Sequence, residues 1–113
     1  MMNDWKSALG NLVKGVGNFA KANPPVVEAF NKLEKATGDG DVLDAKTREL
    51  ISLAVAVTTR CDGCISAHAA AAQKAGASKA EVAAALGTAI ALNAGAAFVY
   101  STRALEAFDQ FGE

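Results

Sequence analysis

The sequence has two cysteines and one histidine among its 113 residues, and each scarcity excludes something. Two cysteines are too few for the disulfide frameworks that hold small secreted domains together. Lysine and arginine number 11 against 12 aspartates and glutamates, with the two signs interspersed. A formal net charge of −1 leaves no basic footprint for nucleic acid and no cationic patch for an acidic membrane. The length suffices for one core but not for two. Trp5 to Ala20 lacks a continuous apolar run and carries Lys6 and Lys14 inside it, so it does not read as a signal peptide. The expected compartment is the cytoplasm, where a Cys-x-x-Cys pair is more often catalytic or metal-binding than structural.

Sustained alternation between hairpin turns is also missing, so no strands are expected and a thioredoxin-type fold is excluded. What the chain has in abundance is alanine, 26 residues. Alanine favours helix and lets helices approach closely, which points to an all-α fold of helix packed on helix. It also contributes little burial per residue, so the protomer is expected to complete its core by oligomerising. Val82 to Thr102 carries no charge and is long enough to span a bilayer, but Ala, Gly, Thr and Asn dominate it. It reads as a buried helix pair rather than a membrane span.

In chain order, Asp4 caps a helix whose apolar residues Trp5, Leu9, Leu12, Val13, Val16, Phe19 and Ala20 recur with helical period. Asn23-Pro24-Pro25 stops it and starts a second helix with Val26, Val27, Phe30 and Leu33, closed by Gly38-Asp39-Gly40. Asp44 caps a third through Val57, with Thr58-Thr59-Arg60 as its fraying end. A fourth runs from about Cys61 to Ala75 and stops at Gly76. Ser78 and Glu81 form a capping box for a fifth, and a break near Asn93 to Gly95 leads to a sixth carrying Phe98, Val99, Leu105, Phe108 and Phe111.

Every cysteine and the histidine fall in one stretch, Cys61-Asp62-Gly63-Cys64-Ile65-Ser66-Ala67-His68. On a helix these three occupy i, i+3 and i+7, one face, with Cys64 and His68 about 6 Å apart at Cβ. The two thiols are close enough to cycle between dithiol and disulfide after modest adjustment. If the third and fourth helices run antiparallel, Glu49 and His68 each lie roughly 12–15 Å from the turn, at one level. A carboxylate there can orient the imidazole or carry its proton. Two readings stand on the residues alone. One is a redox enzyme. The other is a non-catalytic helical oligomer that uses the dithiol as redox sensor or binds a metal through Cys61, Cys64, His68 and Glu49.

The spacing Glu49-x11-Cys61-x2-Cys64-x3-His68 resembles the signature of the AhpD-like alkyl hydroperoxidases of the carboxymuconolactone decarboxylase superfamily. Leu43 to Leu50 and Ala75 to Ser78 are similar to that family as well, and the likeness covers roughly residues 22 to 110. The resemblance implies an AhpD-like bundle of about six helices, built around the antiparallel pair carrying Glu49 and Cys61/Cys64/His68. Residues 1–22 are then an N-terminal amphipathic helix and 23–113 the family domain. It implies trimers or hexamers, no resident cofactor or metal, a hydroperoxide substrate and a dithiol reductant such as a lipoyl group or a thioredoxin-like protein. By the same resemblance Cys64 attacks peroxide, Cys61 resolves, and Glu49 with His68 relays protons. The decarboxylase branch typically lacks the two cysteines. One position departs from the pattern: AhpD has a histidine immediately before the second cysteine, and this chain has Gly63.

Overall fold

The computed structural model describes residues 3–113; Met1 and Met2, the first two residues of the expected N-terminal segment, lie outside the described residues. These form five α-helices and no strand: α1 (Trp5–Ala22), α2 (Pro24–Ala36), α3 (Ala45–Thr59), α4 (Asp62–Lys74) and α5 (Lys79–Phe111). A short 3-10 turn, Asp39–Asp41, lies between α2 and α3. The all-α expectation holds, with one helix fewer than expected.

Each helix start is written in the local sequence. Asp4 accepts from the Ser7 amide at 3.1 Å, and Asp44 from the Thr47 amide at 2.7 Å. Pro24 opens α2 where a missing N–H costs nothing. Ser78 and Glu81 satisfy each other's backbone amides, which closes the capping box at the start of α5. Two of the helix ends share one device. After α4, Gly76 takes φ +85° and the Ala77 amide reaches back to the Ala72 carbonyl at 3.0 Å. After α3, Arg60 takes φ 55° and the Cys61 amide reaches the Ala56 carbonyl at 3.1 Å. Both are left-handed closures that satisfy orphan carbonyls, one with glycine and one with a residue that pays a steric penalty for it.

α3 is the centre of the protomer, packed against both α4 and α5, while α1 lies across α2 and α4. The buried positions are Leu53 and Ala56 on α3, Ser66 and Ala72 on α4, and Ala89 on α5. Four of these five are Ala or Ser-sized or smaller than Leu, so the helices approach closely and α4 lies tight against α3. The buried Ser66 hydroxyl is satisfied by the Gly63 carbonyl at 3.0 Å.

The expected break near Asn93 to Gly95 is absent, and α5 runs unbroken for 33 residues. Asn93 does not turn the chain, because its Nδ2 donates to the Ala89 carbonyl at 2.7 Å and to the Thr58 hydroxyl at 3.0 Å. Gly95 costs about 1 kcal/mol in a helix interior. Its neighbours on both sides are alanines, and no residue of α5 takes a positive φ, so nothing ends the helix there. The expected burial of this stretch is corrected too: only 6% of its most apolar 18-residue window is buried in the protomer. By length and composition α5 can cross a membrane, with a mean hydropathy of 1.8 over that window. Phe98, Val99, Leu105, Phe108 and Phe111 are all exposed, as are Val26, Phe30 and Leu33 on α2. Val13, Val16 and Phe19 of α1 are exposed as well, leaving Trp5, Leu9 and Leu12 as its half-buried apolar face.

Two outcomes follow from this architecture. Arg60→Gly removes the left-handed penalty at an exposed side chain and is expected to raise unfolding stability by about 0.5–1 kcal/mol in a denaturant titration. The second concerns the Lys46–Glu81 ion pair, 2.8 Å long, which ties the start of α3 to that of α5. The Lys46 ammonium, and then the Ser78 amide, hold the Glu81 carboxyl below its ordinary range. A depressed carboxylate contributes stability above its unfolded pKa and loses it as pH falls through the folded one. Wild type and Glu81→Gln should therefore differ in Tm at neutral pH and converge as pH falls below the usual carboxylate range.

Candidate active site

Four residues from two helices meet on one side of the α3–α4 pair. Cys61 sits at the N-cap of α4 rather than inside it, with φ −104° and ψ 99°. Its Sγ accepts from the Cys64 amide at 3.2 Å, in the place a serine or aspartate oxygen takes at other caps. Cys64 lies in the first turn, and the two sulfurs are joined in a disulfide with Cα atoms 5.2 Å apart. A sulfur at this cap faces a backbone N–H and the positive end of the helix, both of which favour the thiolate once the bond is reduced.

His68 follows Cys64 by one helical turn, and its Nδ1 lies 2.6 Å from Glu49 Oε2 on α3. Nineteen residues separate the two in sequence. The antiparallel α3–α4 pairing brings them level, as the counting of residues from the turn anticipates. A carboxylate can only accept, so this bond puts the proton on Nδ1 and leaves Nε2 as the free acceptor of the neutral ring. Both side chains are about a quarter exposed, at 25% and 22%, so the pair is sheltered but still reached by water.

Cys64 and His68 form one wall of a cleft of about 230 Å³ whose other wall is α3, with Ile51, Ser52, Val55, Ala56 and Thr59. Cys61 is not part of that lining. The Ser52 and Thr59 hydroxyls are turned back onto the Arg48 and Val55 carbonyls, so the cleft floor is mainly apolar. Sequence reasoning missed these lining residues, although a signal was present. Ser52, Ala56 and Thr59 follow Glu49 by three, seven and ten positions, the same face of α3. Thr88 and Asn93 line a second groove with Ile51 and Leu92. Tyr100 lies elsewhere, exposed, under the Arg103 guanidinium at 4.9 Å.

The glycine between the cysteines has a structural counterpart in α1. A Cβ added at Gly63 would lie 3.1 Å from Leu12 Cδ1, closer than ordinary van der Waals contact. Leu12 thus occupies the space that a side chain at position 63 would need. Among the described residues, no group of three or more His, Cys, Asp and Glu side chains is arranged to hold a metal ion.

Fold and site together define a helical protein with a Cys-x-x-Cys pair at a helix start and a carboxylate-bound histidine one turn beyond. The sequence profile of the carboxymuconolactone decarboxylase family matches residues 24–107, and the chain belongs to that family. The match begins at the first residue of α2, so α1 lies outside it. The chain is similar to an uncharacterized protein of Haemophilus influenzae, 62% identical over 108 residues and 96% of each chain. It is also similar to uncharacterized protein 4 in the cox locus of Paracoccus denitrificans, 33% identical over 84% of this chain and 86% of that one. Among solved structures, a carboxymuconolactone decarboxylase family protein from Legionella pneumophila, in its apo form, superposes with a TM-score of 0.75. It is 32% identical over 96% of this chain and 97% of that one. A protein from Methanobacterium thermoautotrophicum gives 0.70 at 33% identity, covering 75% of this chain and 96% of its own.

The Leu12 contact has a measurable consequence. Gly63→His overpacks against Leu12 and should destabilise by about 1–3 kcal/mol in denaturant unfolding. Leu12→Ala combined with it should recover part of that loss, with a coupling of about 0.5 kcal/mol or more. Strict additivity of the two substitutions would mean that Leu12 does not hold this space.

Proposed function

We propose that this chain is a thiol-dependent alkyl hydroperoxide reductase that cycles through the Cys61–Cys64 disulfide. The observation that carries the reading is the 2.6 Å Glu49–His68 bond beside a cleft that Cys64 lines and Cys61 does not. Family membership is consistent with it, because the superfamily contains AhpD-like peroxidases. An apolar α3 wall suits the organic part of an alkyl hydroperoxide.

The cycle has three steps. His68 Nε2, with Glu49 holding Nδ1–H, takes the Cys64 thiol proton, directly or through water. The Cys64 thiolate attacks the distal peroxide oxygen and the O–O bond breaks. The alkoxide leaves as an alcohol with the proton returned from His68, and Cys64 becomes a sulfenic acid. Cys61, held at the helix N-cap where its thiolate is favoured, attacks the Cys64 sulfur. The S–S bond forms and water departs. An external dithiol, a lipoyl group or a thioredoxin-like protein, then supplies two electrons and two protons by exchange and leaves as its own disulfide. No resident cofactor enters the cycle. The working form is a homo-oligomer, a trimer or hexamer by resemblance, which accounts for the apolar surface that the protomer exposes.

Turnover decides the matter. Sustained consumption of cumene hydroperoxide with dihydrolipoamide is expected, abolished in Cys61→Ser and Cys64→Ser. Cys61→Ser should accumulate a dimedone-reactive sulfenic acid and Cys64→Ser should not; the reverse pattern exchanges the roles of the two cysteines. Glu49→Gln and His68→Ala should slow the peroxide step by about 10²–10³-fold while leaving the disulfide able to form. One stoichiometric oxidation without turnover would instead assign the dithiol to redox sensing.

A further inference from the structure

We propose that Leu12 of α1 is a positioning residue for the Cys61–Cys64 couple. It holds the turn between the two cysteines ready to close, and α1 in return docks more tightly on the disulfide form than on the dithiol form. We take from the proposed function only that the pair passes between these two states, whatever oxidises it.

The first turn of α4 is weak by its own composition. Its cap is a sulfur, a poorer acceptor than the oxygens of Asp4, Asp44 and Ser78 that open α1, α3 and α5. Asp62 and Gly63 follow as the first two helical residues. Asp62 is exposed. Gly63 has no side chain to anchor, and glycine costs about 1 kcal/mol relative to alanine in a helix. In the disulfide form the bond from Cys61 to Cys64 ties both ends of this turn together. Reduction removes that tie. The Cys64 amide on the Cys61 sulfur, the Ile65 amide on the Cys61 carbonyl at 2.9 Å and the Ser66 hydroxyl on the Gly63 carbonyl at 3.0 Å are then left to hold it, with whatever packs on it from outside.

Leu12 packs there. A Cβ built at Gly63 meets Leu12 Cδ1, Cδ2 and Cγ at 3.1, 3.5 and 3.8 Å, so the leucine tip lies against the bare backbone of residue 63. Leu12 is half-buried, and α1 joins the α3–α5 body mainly through α4. Leu12 does not line the redox cleft, so it acts through the backbone between the cysteines and not on the reacting atoms.

The direction of the effect follows from where freedom is lost. Residue 63 held in place keeps the free sulfurs close and removes entropy that ring closure would otherwise cost, which favours the disulfide. With Leu12 cut back, the dithiol form gains freedom that the covalently tied form cannot, and the pair becomes easier to reduce. Linkage makes this reciprocal: the factor that α1 adds to disulfide formation, the disulfide adds to the docking of α1. A helix outside the family profile thus carries the redox state of the pair to the surface, tightened when oxidised and loosened when reduced.

Equilibration with glutathione reads the coupling without turnover. Two glutathione thiols reduce the disulfide, giving two electrons and two protons to Cys61 and Cys64 and leaving as glutathione disulfide. Acid-quenched samples, alkylated and weighed by mass spectrometry, give the dithiol fraction over a series of glutathione ratios. Leu12→Ala should shift the equilibrium constant about fivefold toward the dithiol, the low end of ordinary coupling between sites, because Ser66 still holds the Gly63 carbonyl. Leu12→Met refills the space and should return the constant to within about twofold of wild type. Leu9→Ala is the control: Leu9 is half-buried on the same face of α1, but the three atoms nearest the Gly63 Cβ are all from Leu12. In the wild-type chain, α1 amides should exchange hydrogen several-fold faster after reduction, while those around the buried Ala89 do not change. An unchanged constant in Leu12→Ala overturns the inference, as does a shift toward the disulfide or an equal shift in Leu9→Ala. Equal exchange of α1 in the two states overturns it as well, and that comparison needs no variant to fold. Peroxide enters none of these measurements, so a chain without turnover but with the coupling intact would refute the peroxidase reading alone.

Discussion

The hydrogen bond between Glu49 and His68 joins two helices across 19 residues, and most of the architecture is arranged so that it can form. It requires α3 and α4 to lie antiparallel and close. Closeness comes from the small side chains between them, Ala56, Ser66 and Ala72, which are the buried positions of the pair along with Leu53. Antiparallel return comes from Arg60, held left-handed so that the Cys61 amide caps α3 at the Ala56 carbonyl. The same residue, Cys61, then becomes the N-cap of α4. One short turn thus ends a helix, starts the next and presents a sulfur to free backbone amides. The strain at Arg60 sits beside the reactive pair, where backbone strain is commonly found in functional sites.

The two cysteines share a turn but not an environment. Cys61 has the N-cap and its amide, and Cys64 has the cleft and the histidine. In the proposed cycle it is this asymmetry, and no difference in residue type, that assigns each sulfur its task. α1, outside the region that the family profile matches, adds to it by laying Leu12 against Gly63. The absence of a side chain at position 63 and the presence of α1 at that place are one packing solution, not two unrelated features.

The protomer also leaves much of its apolar surface exposed. Its principal extents are 58 × 38 × 37 Å, long for its mass, because the second half of α5 has nothing in the chain to lie on. An alanine-rich core explains why. Helices that approach closely through Ala and Ser bury little area, and the large apolar side chains are displaced to the outside. Phe98, Leu105 and Phe108 are what is left over, exposed along the second half of α5.

Much of this was legible in the residue order. Caps at Asp4, Asp44 and Ser78, the stop at Asn23-Pro24 and the closure at Gly76 are local chemistry, settled within four residues, and the helix starts follow from them. The i, i+3, i+7 spacing of Cys61, Cys64 and His68, and the level of Glu49 before the turn, needed only helix geometry. Three things were not legible, each because it depends on contacts between distant parts of the chain. Asn93 and Gly95 carry a breaker signal, but the hydroxyl of Thr58, 35 residues away, ties Asn93 into a continuous helix. Gly63 looks like a simple loss of a side chain until Leu12 is found in its place. The hydrophobic period of α5 marks an apolar face without saying what covers it, since burial is a property of the packed surface and not of the sequence that supplies it.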